Sequence, residues 1–328
     1  MTDVLMSLLK LPPEALAWLG RRGTSALAVM AFIGIALPSL GAVLKPFVAV
    51  AVFLLLVLAF LRVDLAALRS HARRPVIVIA IAVWTMFVLP ASLCWGYSLL
   101  GIDVRSADLM LALVLQAATS PMMSSPAIAA MLGLDAALVL LGMVASTALV
   151  SFSAPAFVRI FAGDTVPISP LTLGLKLFAI LLGSALVALI IRKLAGQVRI
   201  ARYTDHIDGC NVILMFIFIA AVTGGVGALL FSDPFKALGL TVLAFVLTFL
   251  LSATTMIVFI RLGRRQAASL GLMASQRNMG LMLGAAGAVL PDLVWLYLAL
   301  AQLPIYTLPQ LMKPLLRRFL RGTDAAAV

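Results

Sequence analysis

The stretch "GLMASQRNMGLMLGAAGAV", residues 271–289, is apolar and small except at Ser275, Gln276, Arg277 and Asn278. A guanidinium stays protonated throughout the pH range of proteins, and a charge at the centre of a bilayer costs at least ~2.5–3.5 kcal/mol on insertion scales. Arg277 therefore needs water, a counter-ion or freed backbone carbonyls. Three roles are open to it: clamping the carbonyls of broken helices, forking onto a substrate carboxylate or sulfonate, or standing as a fixed cation. A second polar set, Gln116, Thr119, Ser120, Ser124 and Ser125, surrounds Pro121 and Pro126. Hydroxyls and carboxamides of this kind are neutral donors and acceptors suited to line an anion site. The two histidines, His71 and His206, lie among arginines, and no aspartate pair within an apolar segment, His-Glu-x-x-His helix or phosphate-binding glycine loop is present. An enzyme and an ATP-driven pump are thus not expected. Cys94 and Cys210 match no metal spacing, so no metal or other cofactor is expected.

Composition says where such residues must sit. Of 328 residues, 64% are hydrophobic and 11% charged, with a net charge of +12. Soluble domains carry about 25% charged residues, so this is a polytopic membrane protein. Ten apolar segments are expected at 24–44, 46–62, 75–100, 107–133, 136–161, 168–192, 207–231, 235–260, 266–290 and 292–312. They give four regions: a cytoplasmic interfacial lead-in, 1–23, carrying Trp18; a first five-helix repeat, 24–162; a second, 163–316; and a basic tail, 317–328. With the N-terminus inside, 18 of the 24 basic residues fall in inner segments, and Lys45, Arg105, Arg159 and Lys236 in outer ones. The positive-inside rule then places both termini in the cytoplasm, with the chain in the inner membrane. Basic residues scattered in this way mark topology, so nucleic-acid binding is rejected. Lys176 is expected to snorkel to the interface, while Arg277 lies about twelve residues from either end of its segment.

Two segments carry interruptions. Pro121 and Pro126 break the fourth, because proline removes an amide donor and clashes with the preceding turn. Ser-Gln-Arg-Asn followed by Gly280 concentrates poor helix formers in the ninth. Five segments followed by five invert the second group relative to the first, which makes the interrupted segments the fourth member of each half. Matched interruptions in inverted halves point to the binding site of a secondary transporter working by alternating access. Unwinding is expected near 119–124 and 275–280, with the two points crossing at mid-membrane. The second half-helices, starting near Ser124 and Met279, would add positive ends to the charge of Arg277.

This order of segments resembles the bile acid:sodium symporter family. "RVDLAALRSHARRP" after the second segment, "MFVLP" in the third and residues 117–155, "AATSPMMSSPAIAAMLGLDAALVLLGMVASTALVSFSAP", share its texture. The "QRN-x-G" at 276–280 sits where the family has Gln-Asn within Glu-x-Gly-x-Gln-Asn. The resemblance covers nearly the whole chain by layout. It implies an all-α, ten-helix fold of panel and core, helices four and nine crossing, and transport of organic anions with sodium. It also exposes departures. With Asn278 in register, Arg277 replaces the glutamine and Met273 the sodium-coordinating glutamate. Thr85, five before Pro90, replaces a glutamine ligand, and Ser125-Pro126 stands near the family's Ser-Asn. Sodium is therefore a doubtful ligand here.

The reading is a carrier of a small or amphipathic organic carboxylate or sulfonate. The residues expected to hold it are Arg277, Asn278, Gln276, Ser275, Ser124, Ser125, Thr119 and Gln116, with Pro121, Pro126 and Gly280 as breakers. Asn211 and Gln302 are expected to bridge helices, and Tyr306 is open between gate and interface anchor. The alternatives are an anion-binding membrane sensor or scaffold, and a metalloid exporter. The arsenite carriers share the ten-segment layout but have a reactive cysteine in the fourth segment, where this chain has none.

Overall fold

The computed structural model describes residues 14, 15, 18, 38–63, 75–163 and 169–320. Most of the lead-in, most of the first expected segment, His71 and the last eight residues of the tail lie outside them. In chain order the helices are α1 (Pro38–Leu44), α2 (Val48–Arg62), α3 (Pro75–Val83), α4 (Leu89–Leu99), α5 (Ile102–Arg105), α6 (Ala107–Ala118), α7 (Ser125–Met131) and α8 (Ala136–Phe157). There follow α9 (Pro170–Ala195), α10 (Gln197–Arg202), α11 (Thr204–Ser232), α12 (Pro234–Phe259), α13 (Arg264–Ser275), α14 (Met279–Ala286), α15 (Asp292–Leu300) and α16 (Gln302–Leu320). No sheet occurs among the described residues.

Among the described residues, six helical stretches are long and apolar enough to cross a membrane: Leu40–Arg62, Pro75–Leu99, Ala136–Ala162, Pro170–Ala195, Thr204–Gly224 and Pro234–Leu262. They coincide with six of the ten expected segments. The fourth and ninth are instead each divided into two short helices, α6/α7 and α13/α14, and the tenth is interrupted at Ala301 between α15 and α16. The long helices turn apolar side chains outward. On α9, Leu171, Leu175, Phe178, Leu182, Leu186 and Leu189 form one exposed stripe at three- and four-residue spacing, the surface a lipid tail covers and water does not. The chain is a multi-pass helical membrane protein. Lys176 is exposed, Cys94 and Cys210 are both free, and Asn211 and Gln302 are half-buried.

The chain divides into two compact units, 1–63 with 180–232, and 64–179 with 233–328. In the first, Val57 and Leu61 of α2 pack with Ala188 of α9. Arg192 on α9 closes the end of α2 by donating to the carbonyls of Phe60 (3.1 Å), Leu61 (2.6 Å) and Val63. The last carbonyls of a helix lack intrahelical donors, and a cation there also suits the helix dipole. Arg62 pairs with Asp208 on α11. On its other side α11 comes against α1 backbone to backbone: a Cβ on Gly41 would lie 2.5 Å from Gly224 Cα and 2.9 Å from the Ala220 carbonyl.

The second unit is built around α13, whose residues Ala267–Ser275 are all buried. Leu270, Leu272 and Met273 pack with Ile81, Val139 and Met143 on one side and with Leu308, Met312 and Leu316 of α16 on another. Met273 is wholly enclosed, and a Cβ on Gly142 would meet its sulfur at 2.8 Å. Helix starts follow the sequence: Ser106, Asp135, Asp233 and Asn278 each accept an amide of the first turn of α6, α8, α12 and α14.

The approach of α1 to α11 allows a paired test. Gly41→Ala forces backbone apart and is expected to lower the thermal midpoint in detergent, at a cost of about 1–3 kcal/mol for overpacking. Gly239→Ala on α12, where a Cβ meets nothing within 4 Å, is expected to leave it unchanged or raise it. Equal midpoints for the two variants would contradict the close approach.

Candidate functional site at the crossing of two helix breaks

The break between α6 and α7 runs from Thr119 to Ser124, and that between α13 and α14 from Gln276 to Asn278. The two meet as a short antiparallel pair, with Pro121 opposite Arg277. Two backbone bonds flank that position: Asn278 N–H to Ser120 O (2.8 Å) and Met122 N–H to Gln276 O (2.6 Å). Pro121 thus occupies the place in an antiparallel ladder whose own N–H is not called upon, which is why a proline fits there. Thr119 adds a side-chain bond from its hydroxyl to Asn278 O (3.0 Å). Groups released by unwinding one helix are satisfied by groups released from the other.

The second break is compact. Arg277 N–H bonds Ser275 O and Met279 N–H bonds Arg277 O, each at 3.0 Å. Gln276 (φ −83°, ψ 75°) and Asn278 (φ −83°, ψ 72°) are accordingly the centres of two inverse γ-turns flanking the arginine. Asn278 then caps α14 through its side-chain oxygen, which accepts Leu281 N–H (3.1 Å).

Arg277 is fully buried. Its Nη1 donates to Thr119 O (2.7 Å) and Thr85 O (3.3 Å), and its Nη2 to Thr85 O (3.4 Å). Both carbonyls are free for physical reasons. Thr119 is the extended residue that ends α6. Thr85 lies in a wide turn, Trp84–Val88, where Leu89 N–H reaches back five residues to Trp84 O. The next donor in that register would be residue 90, and Pro90 has none. That turn is anchored by Trp84, whose indole N–H donates to Thr255 Oγ1 (3.0 Å) and whose ring meets Phe259 edge-on.

Several buried polar atoms at and beside the crossing have no partner among the described residues: Arg277 Nε, both side-chain amide atoms of Gln276, and the hydroxyls of Thr85, Ser120 and Ser125. Arg277 is also the one charged residue buried among the described residues.

The expected site residues divide into groups. Thr119, Gln276, Arg277 and Asn278 come together at the crossing. Ser125 opens α7 with its hydroxyl unpartnered, and Ser124 stands half-buried just before it. Ser275 turns its hydroxyl back to Leu272 O within α13, and Gln116 accepts from the hydroxyl of Tyr297 on α15. Of the expected breakers, only Pro121 lies in an unwound stretch. Pro126 is the second residue of α7, where its missing amide costs nothing, and Gly280 is the second residue of α14. The second half-helices are weaker positive ends than expected: α7 has seven residues, and α14 is closed by its own Asn278.

Two participants escaped the sequence reading: the Thr85 carbonyl and the hydroxyl of Tyr297. A tyrosine inside an apolar segment signals a hydroxyl that needs a partner, which was the available clue. No protein-family model and no curated protein sequence matches this chain.

The cap at Asn278 gives a direct check of this geometry. Asn278→Ala is expected to lose about 1 kcal/mol of stability and Asn278→Ser to recover most of it, since serine caps as well. Indistinguishable unfolding midpoints for wild type and Asn278→Ala would mean that α14 does not begin there.

Proposed function

We propose that this protein is a secondary transporter of small or amphipathic organic anions, carboxylates or sulfonates, bound where the two helix breaks cross. The observation that carries the reading is Arg277, a permanent cation that is fully buried and whose side-chain hydrogen-bond partners among the described residues are two neutral carbonyls. Beside it lie a free Nε, the Gln276 amide and the Ser120 hydroxyl, each able to bond an anion's oxygens. A guanidinium fork and a carboxylate or sulfonate suit one another bidentately.

The layout supports the same reading. In the five-plus-five scheme the broken helices are the fourth member of each half, the arrangement of inverted-repeat carriers. The first compact unit ends after the second segment of each half, at Val63 and at Ser232, although in the second half it begins only at Ile180, part-way along α9. This is the grouping that a panel and core of the bile acid:sodium symporter kind would have. Both termini face the cytoplasm in this scheme, in the inner membrane, on the strength of the basic-residue asymmetry.

Sodium has no evident task in this mechanism. Met273 offers a thioether buried in the core where the resembling family has a carboxylate. A sodium ion within ~4–6 Å of the guanidinium would be repelled by several kcal/mol at an effective dielectric near 20. Arg277 instead balances the anion permanently.

Purified protein is expected to be stabilised thermally by benzoate or naphthalene-2-sulfonate, equally in sodium and choline buffers. Proteoliposomes are expected to take up labelled naphthalene-2-sulfonate in either buffer, and Arg277→Gln to weaken binding at least ~10-fold, the size of one charge-assisted pair. Strict sodium dependence would refute the cation role of Arg277. Binding without uptake would make the protein a sensor.

A further inference from the structure

The crossing also bears on the charge of the cargo and on the cycle of the carrier. Arg277 is the single charged side chain buried among the described residues, and its hydrogen-bond partners, Thr85 O and Thr119 O, carry no formal charge. No acid among the described residues compensates it: Glu14, Asp103, Asp108, Asp205, Asp233 and Asp292 are exposed, Asp135 and Asp208 half-buried, and Asp208 is paired with Arg62. The enclosed site therefore holds one uncompensated positive charge when empty.

Resting on the transport reading above, we propose that this protein is an exchanger of organic monoanions, in which the loaded site crosses readily and the empty site crosses slowly. A cargo of charge −1 forms a neutral pair with the guanidinium. A dianion leaves a net negative charge in the same enclosure, and a neutral compound leaves the original positive one. Each step that turns the site from one membrane face to the other must enclose whatever net charge remains, and enclosing a charge without a partner is the expensive case. The neutral loaded site avoids that cost, whereas the empty site bears it in full. Arginine cannot shed its proton to escape it. Carriers that pick up a sodium ion or a proton can alter the charge of their empty form, but no acid among the described residues stands at this site to do so. Rapid turnover then requires that one monoanion leave as another enters.

The test uses purified full-length protein in liposomes and two probes on the same ring, naphthalene-2-sulfonate and naphthalene-2,6-disulfonate. Uptake of the labelled monosulfonate is expected to be at least ~10-fold faster into vesicles preloaded with unlabelled monosulfonate than into empty ones, the factor that a barrier difference of one pairing interaction gives. The disulfonate is expected neither to enter nor to stimulate. In Arg277→Gln, where the empty site is neutral, any remaining uptake is expected to show no stimulation by preloading. Equal rates into empty and preloaded vesicles, exchange of the disulfonate as fast as the monosulfonate, or full stimulation retained in Arg277→Gln would each overturn the inference while leaving transport intact. Absence of any monosulfonate binding or uptake would overturn the transport reading itself, a result distinct from these.

Discussion

Unwinding a helix away from water releases backbone groups that must find partners, and the second unit of this protein is arranged around meeting that demand. An unpaired buried amide or carbonyl costs about 1–3 kcal/mol, so a single break in an apolar segment is a liability. Two breaks laid across each other cancel much of it. The amides of Asn278 and Met122 are taken by the carbonyls of Ser120 and Gln276, respectively, and the hydroxyl of Thr119 by the carbonyl of Asn278. The carbonyls of Thr119 and Thr85 remain, and both go to one guanidinium. Arg277 is thereby part of the architecture before it is part of any binding chemistry.

That dual position explains why a charge is tolerated at a fully buried place. Neutral carbonyls lower its cost without removing its charge, and they leave Nε unengaged. A carboxylate partner would satisfy the guanidinium more completely but would also cancel the charge that an anion is proposed to meet. The enclosure is rigid on the α13 side, where Met273 and its neighbours fill the core, and polar on the side of Thr85, Ser120 and Gln276.

Much of this was legible in the sequence because breakers and charges are rare in apolar segments. Pro121 and the Ser275–Asn278 cluster announced the two unwound stretches, and the odd arginine marked where they would matter. What stayed hidden was pairwise geometry. Pro126 reads as a second breaker but serves as a helix starter, because proline is harmless in a first turn and harmful only further in. Gly280 reads as a break and lies inside α14, since the inverse γ-turns at Gln276 and Asn278 had already made the turn. The Thr85 carbonyl is invisible in a string of letters: it is freed by a shifted hydrogen-bond register combined with a proline five residues on. Gln116 and Ser275 look like lining residues by type, yet the hydroxyl of Tyr297 and the carbonyl of Leu272 engage them.

The site depends on the two breaks lying against each other in this register, and cysteine cross-linking measures that directly. In a background with Cys94 and Cys210 replaced by alanine, Ser120→Cys and Asn278→Cys would stand opposite one another in the antiparallel pair. Facing residues there have Cα atoms about 4.5–5.5 Å apart, within disulfide reach. Mild oxidation of the folded protein is expected to join them within one chain, seen as the linked peptide by mass spectrometry. Two free thiols that each react with a small alkylating reagent, and no linked peptide, would contradict the crossing.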